Sequence, residues 1–260
     1  MPWCGLPEAD LMQLWPLPPV LAHRCGGALA PENTLAGLDV AVRHGCRGVE
    51  FDVMLSADGF PLLIHDETLV RTTGGHGEVS HHTLAQLRRL DAGSWFDPRF
   101  AAERLPTLDE ALARCAELGL AVNLEIKPAT GFERQTGRTV AEYLARGSAN
   151  GVPGLVVSSF SEAAIAEAMT VLPDAIYGLL VEDLPADWAS RAERLGVHAI
   201  HACASSLNAT QARAVRDGGY HLAVYTENDS ERAKALLRIG VETVITDFPD
   251  RVCATDMFPA

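Results

Sequence analysis

Apolar and polar residues alternate through Gly48-Val49-Glu50-Phe51-Asp52-Val53, which is the period of a β-strand. Val49, Phe51 and Val53 share one face, while Glu50 and Asp52 share the other. Ala57-Asp58-Gly59 then reads as a turn, and the apolar run that follows it ends at His65. A hairpin centred on residues 57 and 58 places His65 opposite Glu50. The two carboxylates would repel and resist ionisation unless a cation sits between them. The alternative is a surface hairpin with a solvated acidic face.

A second pattern repeats along the chain. An amphipathic helix ends in charged residues, then Gly, and an apolar strand begins: Arg43-His44-Gly45 before Val49, Glu117-Leu118-Gly119 before Val122, Arg194-Leu195-Gly196 before Ile200, Arg216-Asp217-Gly218 before Leu222 and Arg238-Ile239-Gly240 before Val244. Glycine suits the end of a helix that must turn back toward a sheet. Strand–helix units repeated at this length predict parallel strands with crossover helices. The predicted strands are 20–23, 48–53, 121–126, 155–159, 176–180, 198–202, 221–225 and 243–246. Eight such strands favour a closed (β/α)8 TIM barrel, with the run at 61–65 as an extra strand. The chain is then one domain over residues 1–260. Residues 1–19 are an irregular extension with a possible short helix at Pro7 to Leu14. Residues 66–106, with one short helix from Thr83 to Leu90, are an insertion after the second strand that caps the barrel mouth. Asn33 or Thr34 is the expected cap of the first crossover helix, and Thr107-Leu108-Asp109-Glu110 fits a capping box.

Composition narrows the functional classes. Of 260 residues, 48% are hydrophobic and 21% charged, as in ordinary globular proteins, and the net charge is −13. So acidic a chain argues against nucleic acid and anionic membranes as partners, but not against a small anionic substrate. Six cysteines are scattered without metal-binding spacing. They read as small core residues in a reducing compartment without disulfides. No signal peptide or membrane span is visible, so the expected location is cytoplasmic. The oligomeric state is not legible.

In such barrels chemistry gathers at the C-terminal ends of the strands. There the chain places His23-Arg24, Glu50 and Asp52, Glu125 and Lys127, Ser158-Ser159-Phe160, His201, Tyr225-Thr226-Glu227-Asn228 and Thr246-Asp247. In Val122-Asn123-Leu124-Glu125-Ile126-Lys127 the polar residues face the lumen, making Glu125 a third carboxylate beside Glu50 and Asp52. Three hard oxygen ligands suit one divalent cation, Mg2+ or Ca2+. The alternative is an ion-pair network of Glu125 with Lys127 and Arg24. His23 and His65 can divide general-acid and general-base work, and Arg24 and Lys127 supply charge for an oxyanion. Such a set describes phosphoryl-ester hydrolysis. Gly26-Gly27 would let backbone approach a phosphate. The remaining histidines at 44, 76, 81, 82, 198 and 221 read as structural.

These pieces resemble the glycerophosphodiester phosphodiesterases. His23-Arg24 with Pro31-Glu32-Asn33-Thr34, then Val49-Glu50-Phe51-Asp52-Val53, His65-Asp66, Leu124-Glu125-Ile126-Lys127-Pro128, Ser158-Ser159-Phe160, Tyr225-Thr226-Glu227-Asn228 and Thr246-Asp247-Phe248-Pro249-Asp250 stand in family order. The resemblance implies a TIM barrel with a small insertion, metal ligation by Glu50, Asp52 and Glu125, and acid–base catalysis by His23 and His65. It implies phosphate or substrate binding by Arg24, Lys127 and Tyr225. The implied reaction splits a small-molecule glycerophosphodiester, such as glycerophosphocholine or glycerophosphoethanolamine, into sn-glycerol 3-phosphate and an alcohol. Rivals are a related phosphodiesterase for lysophospholipids or glycerophosphoinositol, a sugar-phosphate aldolase or isomerase, and a non-catalytic binding barrel. Two positions depart from the family. Cys25 stands where Gly is usual, with Gly26 expected to take over its conformational role, and Tyr225 stands where Trp is common.

Overall fold

The computed structural model describes residues 15–101 and 103–253, so the possible helix at Pro7 to Leu14 lies outside the described residues. Eight parallel strands close on themselves: β1 (Val20–Ala22), β2 (Gly48–Leu55), β4 (Ala121–Ile126), β5 (Leu155–Ser159), β6 (Ile176–Val181), β7 (Ala199–Cys203), β8 (His221–Tyr225) and β9 (Thr243–Thr246). Closure comes from β1, which pairs with β9 on one side and β2 on the other. A ninth strand, β3 (Pro61–Leu63), runs antiparallel to β2. The architecture is the (β/α)8 barrel.

Crossover helices cover the outside: α1 (Leu35–Arg43), α3 (Leu108–Leu118), α4 (Glu133–Ala145), α5 (Glu162–Val171), α6 (Trp188–Leu195), α7 (Ala209–Asp217) and α8 (Ser230–Arg238). Two single turns, α2 (Leu84–Leu87) and α9 (Pro249–Val252), lie in the loops after β3 and β9. Their starts follow the capping chemistry of the sequence. Thr34 accepts the Gly37 amide, and Thr107 and Glu110 form a reciprocal capping box. The helix expected over Thr83–Leu90 is shorter than the sequence pattern implies. A Thr83–Gln86 capping box starts it, but α-helix persists only to Leu87.

The alternation in β2 and β4 resolves into two environments. Val49, Phe51, Val53, Val122, Leu124 and Ile126 join the main core beneath the helices. Glu50, Asp52, Asn123 and Glu125 are buried on the other face. The surface-hairpin alternative fails because every residue of β2 is buried. Beyond Glu50 and Asp52 on the same strand, Met54 and its pairing partner Leu62 are covered by Leu69, Val79, Leu87, Ala92 and Leu105 from the segment after β3, in a second small core. At the opposite end, Trp15 Nε1 donates to Thr243 Oγ1 at 2.8 Å, and Leu17 packs with Leu21, Ala121, Val156 and Ile245.

The hairpin register differs from expectation by one residue. Val53 pairs with Leu63 and Leu55 with Pro61, so the turn centres on Asp58 alone and His65 does not lie across from Glu50. The five-residue loop closes through the Ser56 amide on the Phe60 carbonyl, and Ser56 Oγ binds Asp58. Regular pairing ends at Leu63, and His65 enters the site on the departing chain.

The cysteine expectation is also corrected. Cys46, before β2, bonds to Cys253, after α9, with Cα atoms 5.5 Å apart. They are 207 residues apart in sequence, so spacing gave no hint of the pairing. Cys25 and Cys115 are buried thiols. Alkylation without reductant should leave Cys46 and Cys253 unlabelled, and Cys46→Ser should lower unfolding stability by about 2–5 kcal/mol. Labelling of both would instead indicate the reduced chain expected of a reducing compartment.

His201, from β7, is fully buried, neither ring nitrogen has a partner among the described residues, and burial pushes its pKa down to about 3. An unfolded histidine titrates near 6.5. Stability from this group is therefore present above pH 6.5 and lost as pH falls toward 3, because only the unfolded chain takes up the proton. Urea unfolding at pH 7 and pH 4.5 should show roughly 2 kcal/mol more acid loss in the wild type than in His201→Leu.

Candidate active site

The site forms where the C-terminal ends of β1, β2, β4 and β9 converge. In-register pairing sets Asp52 beside Glu125, with Glu50 one pleat below on β2. Glu50, Asp52 and Glu125 each offer a carboxylate oxygen within 4.8 Å of the others. Burial and the Asp52 charge raise Glu50 to about 7 and push Glu125 well above the carboxylate range. Burial also works against Asp52, but His65, Lys127, Arg24 and the Asn33 hydrogen bond hold it below its ordinary value.

The ion-pair alternative does not satisfy this cluster. Lys127 Nζ lies 3.6 Å from Glu125 and 3.7 Å from Asp52, and Arg24 Nε lies 3.8 Å from Asp52. These separations exceed hydrogen-bond length. Without a cation, burial favours protonation of Glu50 and Glu125. An all-oxygen donor set that would exchange protons for a metal fits one hard divalent cation.

Both histidines have the same support. His23 Nδ1 meets Asp247 Oδ1 at 2.6 Å, and its Nε2 lies 3.8 Å from Glu50. His65 Nδ1 meets Asp66 Oδ1 at 2.7 Å, and its Nε2 lies 2.8 Å from Lys127 Nζ. Each ring is anchored through Nδ1; Nε2 of His23 lies beside Glu50, while that of His65 accepts from Lys127. Burial works against charge on His23, but Asp247 and Glu50 outweigh it and its pKa is raised. For His65, burial prevails, aided by Arg24 and Lys127, and the pKa is lowered.

Asp66, Asp247, Asn33, Glu32 and Arg71 were not picked out as site residues from sequence. Asn33 donates to Asp52 Oδ2 at 2.9 Å and accepts the Asp52 amide, fixing that carboxylate. Arg71, from the segment after β3, donates to both Glu32 and Asp66, and holds Asp66 far below the carboxylate range. The aspartates carried a signal, since Asp66 adjoins His65 and Asp247 ends the last strand. Arg71 carried none, because its partners are set by folding.

The turn between β1 and α1 explains the family departure at Cys25. Arg24, Cys25 and Asn33 have positive φ, at 47°, 75° and 56°. Cys25 itself adopts the left-handed conformation, and Gly26, at φ −120°, does not take over that role. The Cys25 side chain fits because it packs on Gly37, where an added Cβ would come within 2.8 Å of Cys25 Cβ. The turn directs the Arg24 amide onto Glu50 Oε2 at 2.8 Å. Gly27, which lines the cavity beside His23 and Arg24, has no room for a side chain, since a Cβ there would lie 2.3 Å from the Asp247 carbonyl oxygen. Tyr225 donates its hydroxyl to the Val181 carbonyl, and its ring meets Phe160 edge to face at 5.8 Å.

A parallel barrel with a buried acidic trio between two histidine–aspartate pairs has the form of a phosphoric diester hydrolase. The chain belongs to the glycerophosphoryl diester phosphodiesterase family, whose model matches residues 23–251. It is 32% identical to a glycerophosphodiester phosphodiesterase of Caldanaerobacter subterraneus subsp. tengcongensis, over 89% of this chain and 94% of that protein. Among solved structures, an Oleispira antarctica phosphodiesterase in complex with the product sn-glycerol-3-phosphate is 38% identical with a TM-score of 0.87, over 91% of this chain and 95% of that one. A glycerophosphodiester phosphodiesterase of Agrobacterium tumefaciens is 28% identical with a TM-score of 0.74, over 91% and 99%. The chain is thus an enzyme of this type.

Mg2+ or Ca2+ at a hundredfold excess over its dissociation constant should stabilise the wild type by about 2.7 kcal/mol. Glu125→Gln should raise the melting temperature of the metal-free protein by removing a buried carboxyl that must take up a proton on folding, and should abolish the metal-induced shift. A wild-type melting temperature insensitive to both ions would remove the cation site.

Proposed function

We propose that this enzyme hydrolyses glycerophosphodiesters, among them glycerophosphocholine and glycerophosphoethanolamine, to sn-glycerol 3-phosphate and an alcohol. The observation that carries the reading is the buried acidic trio flanked by two imidazoles, each anchored on an aspartate through Nδ1. Glu50, Asp52 and Glu125 would hold one Mg2+ or Ca2+ ion, which would supply Lewis-acid polarisation of a phosphoryl oxygen. Arg24 and Lys127 bind the phosphate. Arg24 Nε is buried and has no acceptor among the described residues, which leaves it to donate to a phosphoryl oxygen. The ring of Tyr225 lines the substrate pocket.

The opposite shifts of the histidines divide the proton transfers. His65, held neutral, accepts the proton of the nucleophile, which is water, or the glycerol 2-hydroxyl in a first step whose cyclic phosphate is then opened by water. His23, held more basic, donates to the leaving alkoxide. Asp66 and Asp247 keep the second proton on Nδ1, so that Nε2 is the exchanging atom on both rings. Residues 66–106 act as an insertion of the single domain, reaching the site through Asp66 and Arg71.

His23→Ala and His65→Ala should each abolish release of glycerol 3-phosphate while circular dichroism and melting remain native-like. Asp66→Asn and Asp247→Asn should lower kcat about 10–100-fold. EDTA should abolish activity, and Mg2+ or Ca2+ should restore it. Near-normal turnover by either histidine variant would remove that residue from the mechanism.

A further inference from the structure

Four hydrogen bonds converge on one side chain outside the acidic trio and the two histidines. Arg71 Nη1 and Nη2 each donate to Glu32 at 2.7 Å, while Nε and Nη2 donate to Asp66 at 2.6 and 3.0 Å. One nitrogen, Nη2, thus bonds an oxygen of each acid. Both oxygens also serve the site directly. Glu32 Oε1 accepts from Arg24 Nη1 at 3.0 Å, and Asp66 Oδ1 meets His65 Nδ1 at 2.7 Å. His65, Asp66, Arg71, Glu32 and Arg24 therefore form one unbroken chain, running from the proposed base to a proposed phosphate ligand.

The middle member of that chain is firmly presented. Leu69 is buried in the second small core, and Thr72 and Thr73 are buried next to Arg71 in sequence. The Leu69 amide donates to the Gly77 carbonyl and the Val79 amide to the Glu67 carbonyl, which ties the two arms of the loop together. The guanidinium is 44% exposed, against 13% and 25% for the carboxylates of Glu32 and Asp66. Ion pairs so close to solvent add little to stability. A planar guanidinium bonded twice to each of two carboxylates instead fixes how those carboxylates are oriented. The His23 side is supported by a different residue. Asp247 accepts from Asn228 Nδ2 at 3.0 Å, and its amide donates to Asn228 Oδ1 at 2.8 Å.

We propose that Arg71 is a positioning residue for the reaction, orienting the His65 imidazole through Asp66 and the Arg24 guanidinium through Glu32 at the same time. This rests on the hydrolase reading above and adds that the segment after β3 completes the base side of the site, leaving the His23 side to Asn228.

Arg71→Met should keep a melting temperature close to the wild type and lower kcat/KM for glycerophosphocholine about 10–100-fold. Arg71→Lys, which keeps the charge but loses the fork, should be nearly as impaired. Adding Asp66→Asn to Arg71→Met should lower kcat little further than Asp66→Asn alone, because both break the same chain. Guanidinium chloride at millimolar concentration should restore part of the activity of Arg71→Ala and none of that of Asp66→Asn. The p-nitrophenyl ester of sn-glycerol 3-phosphate separates the two sides, since its phenolate leaves without a proton. On that ester the loss in His23→Ala should shrink, while the loss in Arg71→Met should persist. Full activity in Arg71→Lys, losses that add in the double variant, or equal relief of both variants on the p-nitrophenyl ester would overturn the positioning role and leave hydrolysis intact. A wild type that cleaves neither ester would overturn the hydrolase reading and the positioning role with it.

Discussion

Everything at the barrel mouth depends on three carboxyl groups held close together out of water. Glu50, Asp52 and Glu125 sit on two adjacent strands whose register leaves them no freedom to separate. Burying several carboxylates together is costly, and the chain offsets only part of that cost with Arg24, Lys127 and Asn33. The remainder appears as raised proton affinity at Glu50 and Glu125. A site that holds protons against repulsion is poised to exchange them for a hard cation. The cost falls on folding, and the binding capacity follows from it.

Around that trio the fold gathers supports from distant parts of the chain. His23 comes from the first strand and its partner Asp247 from the end of the last, 224 residues away. They meet because β1 pairs with β9, so barrel closure itself builds one of the two histidine–aspartate pairs. The other pair is local, His65 with Asp66, but Arg71 and Lys127 must be brought to it. The two imidazoles thus share a hydrogen-bonding plan while differing in their surroundings. One lies beside Glu50, and the other faces cationic Lys127 and Arg24.

The strained turn after β1 shows how a departure from the family pattern is accommodated. Cys25 occupies a left-handed conformation that favours glycine. The side chain is tolerated because its neighbour on α1, Gly37, lacks one. What the turn preserves is the backbone amide of Arg24 on Glu50, which orients a ligand carboxylate.

Local pattern carried much of this from sequence. Period-two alternation marked β2 and β4 and put Glu50, Asp52 and Glu125 on their polar faces, because a strand's two sides are set by geometry alone. Helix-ending glycines marked the strand–helix repeat, and eight strands sufficed for the barrel. Tertiary structure decided what depends on distance in space. It set the one-residue shift at the hairpin, since a turn residue changes register without altering hydrophobicity. It also set the pairing of Cys46 with Cys253, the clamp of Arg71 on Glu32 and Asp66, and the place of Cys25 against Gly37. A side chain's chemistry and its face on a strand belong to the sequence. Which groups then share its buried space, and so fix its charge, is decided only when the barrel closes.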